Sequence, residues 1–414
     1  MVIIFKNNLK SRICLLQLSS CQLSPNIPSQ DHSPEHQVRL VPDKTHRDLP
    51  LDCSLLIKVP RTSLLPTEPV SDPFDQNFLE RLIMSLDPPL FYRPNFNQHD
   101  TELVPRKNIV LGGVSVADIT KIGEGAFAKV YAGMCIDEES GASEIKAFKI
   151  QSPPCPWEFY ILTELVQRMQ EDDILRDVMD MVLPTHSIHV FKNMSVLVTS
   201  LFNEGNLLDM MNHYRSNKKT VPAAVIYTYT LDILRCVEAI HKAQIIHGDI
   251  KPDNFLLRDK QNTMHSMSMK MTKSVVLIDF GRSIDMKISP KGSLFDVSSK
   301  TELFECVEMQ TGRPWTYQID YYGMLSCIHL MIHNEYMKVM CDSSGCWLPT
   351  KKPHRRVDQE LYGKLFKDLL NIPDCDSIPL LRPYIELFEN ALKHVPTQVR
   401  HAELKCHYHF MNQK

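Results

Sequence analysis

The chain of 414 residues predicts an α+β protein with two lobes around a cleft. A small antiparallel β-sheet lobe carrying one main helix precedes a larger, helical lobe. Three features predict this. Alternating, β-prone runs joined by a glycine-rich turn fill the region from Val114 to about residue 150. An apolar helical stripe follows in "VPAAVIYTYTLDILRCVEAIHK". Polar motifs of Asp, Lys and Asn then stand where apolar runs end, the place at which a fold exposes chemistry.

Composition narrows the class. With 43% hydrophobic and 23% charged residues the chain has the make-up of a soluble globular protein. A net charge of −3 gives no reason to expect a membrane partner or sequence-specific nucleic-acid binding. No apolar run is long enough to span a bilayer. The start, "MVIIFKNNLK", lacks the charged-then-apolar order of a signal peptide. The one dense basic run, "KKPHRR" (Lys351 to Arg356), reads as a solvated loop or a contact for an acidic surface. The 12 cysteines include no C-x-x-C pair, and Cys341, Cys346 and His354 match no standard zinc spacing. Free thiols point to cytosol or nucleus. "NMS" at Asn193 reads as a hairpin turn.

Along the chain, residues 1–72 are rich in Pro, Ser, His and charge and are expected to be mostly disordered. Residues 73–113 read as an extension. Phe78, Leu79, Leu82, Ile83 and Leu86 recur at helical spacing, Asp75 caps the start and Pro88 ends it; "PPLFYRPNF" is a Pro-stiffened strap. Residues 114–414 form the main domain, with the small lobe to about 202 and the large lobe from 203.

In "IGEGAFAKVYAG", Gly123 and Gly125 form a hairpin tip, with Ala128 where a third glycine often stands. Such a turn lets backbone N–H groups approach phosphate. In "EIKAFKI", Ile145, Ala147 and Lys149 share one strand face; a Lys there needs an acidic partner. Glu158, at the start of a helix entered through Pro156, and Glu164 six residues later both qualify, and periodicity leaves the choice open. Ile226, Tyr229, Ile233, Val237 and Ile240 form a core stripe leading into "IIHGDIKPDN". There Asp249 is placed to take the proton of an attacking hydroxyl, Lys251 to neutralise a transferring phosphoryl group and Asn254 to hold Mg²⁺, with His247 in support. "SVVLIDFGRS" ends a strand in Asp279-Phe280-Gly281, with Asp279 a second Mg²⁺ ligand and Phe280 and Gly281 shaping the turn. The nucleotide pocket is expected to draw on Gly123, Gly125, Ala126, Phe127, Ala128, Val130, Ala147, Lys149, Ser200, Phe202 and Asp279.

Together these motifs, in this order, resemble the protein kinases, which implies ATP and Mg²⁺ as cofactors. Further phrases are more specific. "PWEFYI", "HGDIKPDN", "GRSIDMKISPKGSLF", "CVEM", "PWTYQIDYYGM" and "LNIPDC" resemble the budding-uninhibited-by-benzimidazoles (BUB) mitotic checkpoint kinases, from about Asp75 to beyond Cys375. The resemblance implies Glu158 as partner of Lys149, a small-lobe-wrapping role for the 73–113 extension, Ser/Thr specificity, and a histone tail in nucleosomes as substrate. It also implies kinetochore and checkpoint partners and a nuclear, kinetochore and cytosolic location. The family's N-terminal helical-repeat module and propeller-binding segment are not visible here.

One departure from most protein kinases bears on regulation. Gly248 stands where they carry an Arg that pairs with an activation-segment phosphate. The segment from Asp279 to Glu308 is therefore expected to hold by its own packing, without an obligatory phosphate, although Ser298, Ser299 and Thr301 offer modification sites. Glu308 closes the segment and is expected to pair with an Arg further along, Arg382 being the choice made here; Asp320 is expected to brace the catalytic loop from beneath. Two rival readings exist: a small-molecule phosphotransferase, which also uses His-Gly-Asp but lacks Lys251, and a pseudokinase scaffold, against which the intact Lys149, Asp249, Asn254 and Asp279 stand.

Overall fold

A computed structural model describes residues 72–104, 109–125, 128–136, 142–258, 273–298 and 304–412. The segment expected to be disordered, together with Ala126, Phe127, Ser299 and Thr301, lies outside the described residues.

The extension opens with helix α1 (Gln76–Met84), whose N-terminus is capped by Asp75 accepting from the Phe78 N–H, as expected. Phe78, Leu79 and Leu82 are buried on one face. A short 3₁₀ turn (Leu90–Tyr92) leads to strand β1 (Phe96–Gln98). The strap is therefore more than a spacer: β1 pairs in parallel with β6 (Thr185–Val190), Phe96 opposite Ile188. With β2 (Ile109–Leu111), β3 (Val114–Glu124), β4 (Ala128–Ile136), β5 (Ser143–Gln151) and β7 (Ser195–Ser200) it forms one sheet, order β1-β6-β7-β5-β4-β3-β2, antiparallel except at that edge. The β3–β4 register shifts between Lys121 and Gly123, so the glycine tip sits on a bulge. Asn193 occupies the tight β6–β7 turn, closed by the Phe191 N–H donating to Met194 O.

Helix α2 (Trp157–Gln170) and the short α3 (Asp173–Arg176) connect β5 to β6. The large lobe begins with α4 (Leu207–Ser216), then α5 (Ala223–Lys242). All five residues of the α5 stripe are at most 1% exposed, so α5 forms the spine of the lobe. Short strands follow: β8 (Ile245–Ile246) pairs with β11 (Ile284–Asp285), and β9 (Phe255–Leu257) with β10 (Val275–Leu277). Helices α6 (Val307–Gln310) and α7 (Gln318–His333), a β12–β13 hairpin (Val339–Cys341 with Trp347–Pro349), and helices α8 (Gln359–Leu370), α9 (Arg382–His394) and α10 (Thr397–Met411) complete the chain. One apolar core runs from Phe78 through α2 and α5 to Phe280, Trp315 and α7, joining extension, small lobe and large lobe, and a second, smaller cluster around Val116, Phe148 and Val196 fills the other face of the sheet lobe.

Candidate active site

The β9–β10 hairpin sets the site. Leu277 pairs with Phe255, and the Ile278 N–H donates to Asn254 O, so the chain delivers Asn254 and Asp279 side by side at its end. Asp279 has φ +67°, a left-handed conformation that is unfavourable for a residue with a Cβ and held here by its surroundings. Asp249 lies five residues before Asn254. The Asn254 amide donates to Asp249 O at 2.8 Å, and the Lys251 ammonium bonds Asp249 Oδ2 at 2.6 Å. Asp249, Lys251 and Asn254 thus form one bonded group.

From the opposite wall, Lys149 of β5 reaches across the cleft. Its ammonium bonds Glu158 Oε2 at 2.5 Å and also bonds Asp279. Glu158, not Glu164, is the partner, and its Oε1 accepts from the Phe280 N–H at 3.2 Å. Burial of this trio sets its electrostatics. Burial alone would lower the Lys149 pKa, but the charges of Asp279 and Glu158 outweigh it and raise it. Burial lifts the Glu158 carboxyl above its usual range despite Lys149. For Asp279 burial pulls upward too, but Lys149 prevails and holds the carboxyl below its usual range. At neutral pH Asp279 is therefore an anion facing the cleft.

Between the lobes lies a cavity lined by Ile122, Val130 and Ala147 of the sheet, Leu183, Leu197 and Thr199 beside them, Leu256 and Ile278 of the large lobe, and Ser200, Leu201 and Phe202 of the connection. Lys149, Glu158 and Asp279 close one end. This apolar slot with a charged end suits a planar heterocycle bearing phosphates. Of the residues the sequence proposed for a nucleotide pocket, Val130, Ala147, Lys149, Ser200, Phe202 and Asp279 line it; Gly123, Gly125 and Ala128 flank the turn without lining it.

The donor set also suits a hard divalent cation. Asn254 Oδ1 is buried and has no hydrogen-bond partner, beside the Asp279 carboxylate; both are oxygen donors, the kind Mg²⁺ takes.

Asp320 accepts from the His247 and Gly248 N–H groups at 2.7 and 2.9 Å. One turn on, Gly323 brings α7 so near the loop that a Cβ there would lie 2.3 Å from Ile250 O. His247 Nε2–H donates to Ile278 O, its Nδ1 accepts from the Asp249 N–H, and its ring packs on Phe280. The two bonds assign the neutral tautomer. Glu308 is buried in α6 as expected, but its partner is Arg313 at 3.3 Å; Arg382 instead binds Glu238 at 2.6 Å. Arg313 lies only five residues on, held by the Arg313 N–H donating to Glu308 O, whereas Arg382 starts a different helix against α5.

The activation segment is held by more than its own packing. Asp285, fully buried, takes Arg168 on both oxygens (2.9 and 2.6 Å), the Tyr160 hydroxyl and the Lys287 N–H. Glu164 bonds Arg168 and also Arg93 of the strap. The Trp157 indole N–H donates to Ser283 O. Beside the catalytic loop, the extension's Phe74 lies under the Arg282 guanidinium at 4.0 Å and packs on Trp315 at 6.3 Å. Gly248 sits in this corner with φ +74°: a Cβ would lie 2.5 Å from Arg282 O and 3.3 Å from Phe74. No side chain fits there.

Residues 116–344 match the Protein kinase domain family. The chain is 36% identical to the mitotic checkpoint serine/threonine-protein kinase BUB1 of Mus musculus over 321 residues, 76% of this chain and 30% of the mouse protein. It is 29% identical to the spindle assembly checkpoint serine/threonine-protein kinase BUB1 of Saccharomyces cerevisiae over 353 residues, 77% of this chain and 33% of the yeast protein. Its span is thus about a third of either relative's length. A crystal structure of the BubR1 kinase domain superposes with a TM-score of 0.70 at 30% identity, covering 82% of this chain and 99% of that one.

Proposed function

This chain belongs to the protein kinase family, within it to the BUB1 mitotic checkpoint kinases, and on that footing we propose that it transfers the γ-phosphoryl group of ATP to Ser or Thr hydroxyls of proteins. The observation that carries the reading is Lys149 bonded to both Glu158 and Asp279, three residues from strand, helix and loop brought to one end of an apolar slot.

In this reading the slot takes adenine against Ala147 and Phe202, and Lys149 meets the α- and β-phosphates. Asp249 accepts the proton of the substrate hydroxyl while its oxygen attacks phosphorus, and ADP leaves. Lys251, bonded to Asp249, offsets negative charge on the phosphoryl oxygens. Asn254 and Asp279 would hold a divalent cation, which when bound supplies positive charge to the phosphates. Lys251 in the loop accords with Ser/Thr rather than Tyr acceptors.

The finer reading is a checkpoint kinase acting at kinetochores on a histone tail in nucleosomes. It is supported by the relatives' names and by the exposed loop at Lys351, Lys352, Arg355 and Arg356, which suits an acidic surface. The experiment is to incubate the purified chain with labelled ATP, Mg²⁺ and either free histones or nucleosomes, beside an Asp279→Ala control. Label on Ser or Thr, lost in the control and higher on nucleosomes, is the expected result. Equal labelling of both substrates would remove the nucleosome reading and leave the kinase. Phosphatase-treated enzyme is expected to keep most of its turnover, because Gly248 carries no charge to meet a phosphate.

A further inference from the structure

Helix α2 has a second face. Glu158 points to the cleft, while Tyr160, Thr163, Glu164 and Gln167 lie about half a turn away and floor a trough of about 1400 Å³. One wall is the strap from Ser85 to Asn95; the other is the turn from Lys287 to Lys291 that follows β11. Sites for small molecules hold about 300–1,000 Å³, so this trough has room for a stretch of polypeptide.

Its charge is unbalanced. Arg93 and Arg168 are taken up by Glu164 and the buried Asp285, which leaves Asp87 on the strap wall against the two lysines of the other wall. Lys287 and Lys291 are exposed lining residues, and no acidic side chain among the described residues forms an ion pair with either ammonium. Across the trough, Tyr92 lines the rim 67% exposed and packs on Phe91, itself 51% exposed, with ring centroids 4.4 Å apart. An exposed pair of tilted rings, of which Tyr92 lines the trough, and two lysines on the other wall make a recognition surface in which the rings supply area and the lysines supply charge selection.

We propose that this trough docks an acidic linear segment of a partner protein, its carboxylates on Lys287 and Lys291 and an apolar side chain on the Phe91–Tyr92 pair. Such a segment spans the strap and the activation segment, the two elements bonded to α2. Its binding therefore braces the helix that presents Glu158 and raises turnover, a consequence that rests on the kinase reading; the docking itself does not.

The test is fluorescence anisotropy of a labelled short peptide of Asp and Glu around one Phe, titrated with the full chain. Saturable binding that weakens with added salt is expected. Affinity should fall at least about tenfold in the Lys287→Glu/Lys291→Glu variant, a loss of about 1.4 kcal/mol or more for the two contacts together. Tyr92→Ser should weaken it as well, and a matching Lys-rich peptide should not bind. Thermal unfolding of each variant checks the fold; if the double lysine variant does not fold, Tyr92→Ser decides. Unchanged affinity in folded variants, absence of saturable binding, or displacement of the peptide by ADP would each overturn the proposal.

Discussion

On one face of α2, Glu158 shares Lys149 with Asp279; on the other, Glu164 and Arg168 meet Arg93 and Asp285. Both are buried ion clusters, yet they differ in what they leave open. Around the first, Asn254 Oδ1 has no partner and Asp279 is held in a left-handed backbone conformation. Around the second, Asp285 accepts four groups on its two oxygens, and Arg168 also donates to Ala243 O. A cluster with spare acceptors awaits a ligand; one with every group matched works as a bolt. The same helix thus presents Glu158 to Lys149 on one face and is tied down by a matched network on the other.

The comparison breaks most visibly in the open cluster's neighbourhood. Asp249→Ala removes the proton acceptor and is expected to lower phosphoryl transfer by about two to four decades. The unfolding midpoint should fall less than for a fully buried pair, because the Asp249 side chain is 22% exposed, although its loss leaves the Lys251 ammonium, 8% exposed, without its ion pair. Single-turnover transfer rates and thermal melts on the same preparation check both halves. A variant that melts early would place Asp249 with the bolts.

In the closed cluster the pattern reverses. Asp285→Ala removes both Asp285 bonds of the Arg168 guanidinium and leaves it on Glu164 and Ala243 O alone; breaking a buried pair from one side costs roughly 3–5 kcal/mol, and the remaining Glu164 pair puts the expected loss at about the lower end. Denaturant unfolding should show that loss directly. Turnover should fall only as far as α2 shifts, so nucleotide binding by the folded fraction is expected to persist.

The two clusters were not equally legible in the sequence. Lys149, Asp249, Asn254, Asp279 and Asp320 stand in short motifs whose chemistry is local, and α5 announced itself by a stripe of period 3.6. Glu158 and Glu164 share one helix, and periodicity left the choice between them open; the resemblance implied Glu158, the one the fold sets against Lys149. Arg168 and Asp285 lie 117 residues apart, and each reads alone as a solvated charge. Strand β1 is three residues with too little alternation to register, and its partner is β6, far along the chain. Phe74 gave no signal either. Its role appears only through Gly248, the residue whose departure from the usual Arg raised the question of regulation.

That glycine sharpens the comparison next. With φ +74° and Arg282 O at 2.5 Å from an added Cβ, even Gly248→Ala forces the catalytic loop off the activation segment. Backbone strain of this kind costs roughly 1–3 kcal/mol. Both the melting temperature and turnover are expected to fall. Phe74→Ala relieves the 3.3 Å contact but not the carbonyl clash, so adding it to Gly248→Ala should restore little.

The smallest expected effect tests whether the extension's edge strand is a bolt of the same kind. His189 of β6 is buried, its Nδ1 is 3.2 Å from His99 Nε2, and the His99 ring stacks on Phe191. Burial, and secondarily the neighbouring His99, lower the His189 pKa to about 4. The unfolded chain binds that proton near pH 6.5, the ordinary value for His. Between about pH 6.5 and 4 the unfolded state therefore holds more protons, and stability falls as pH falls. Below about 4 both states are protonated and this contribution flattens. His189→Phe removes the titration but keeps the ring, so the variant's unfolding midpoint should depend less on pH across that window than the parent's. Equal slopes would mean that His189 is protonated in the native state. The strap would then be held by its β1–β6 ladder and the Arg93–Glu164 pair with no contribution from a neutral His189.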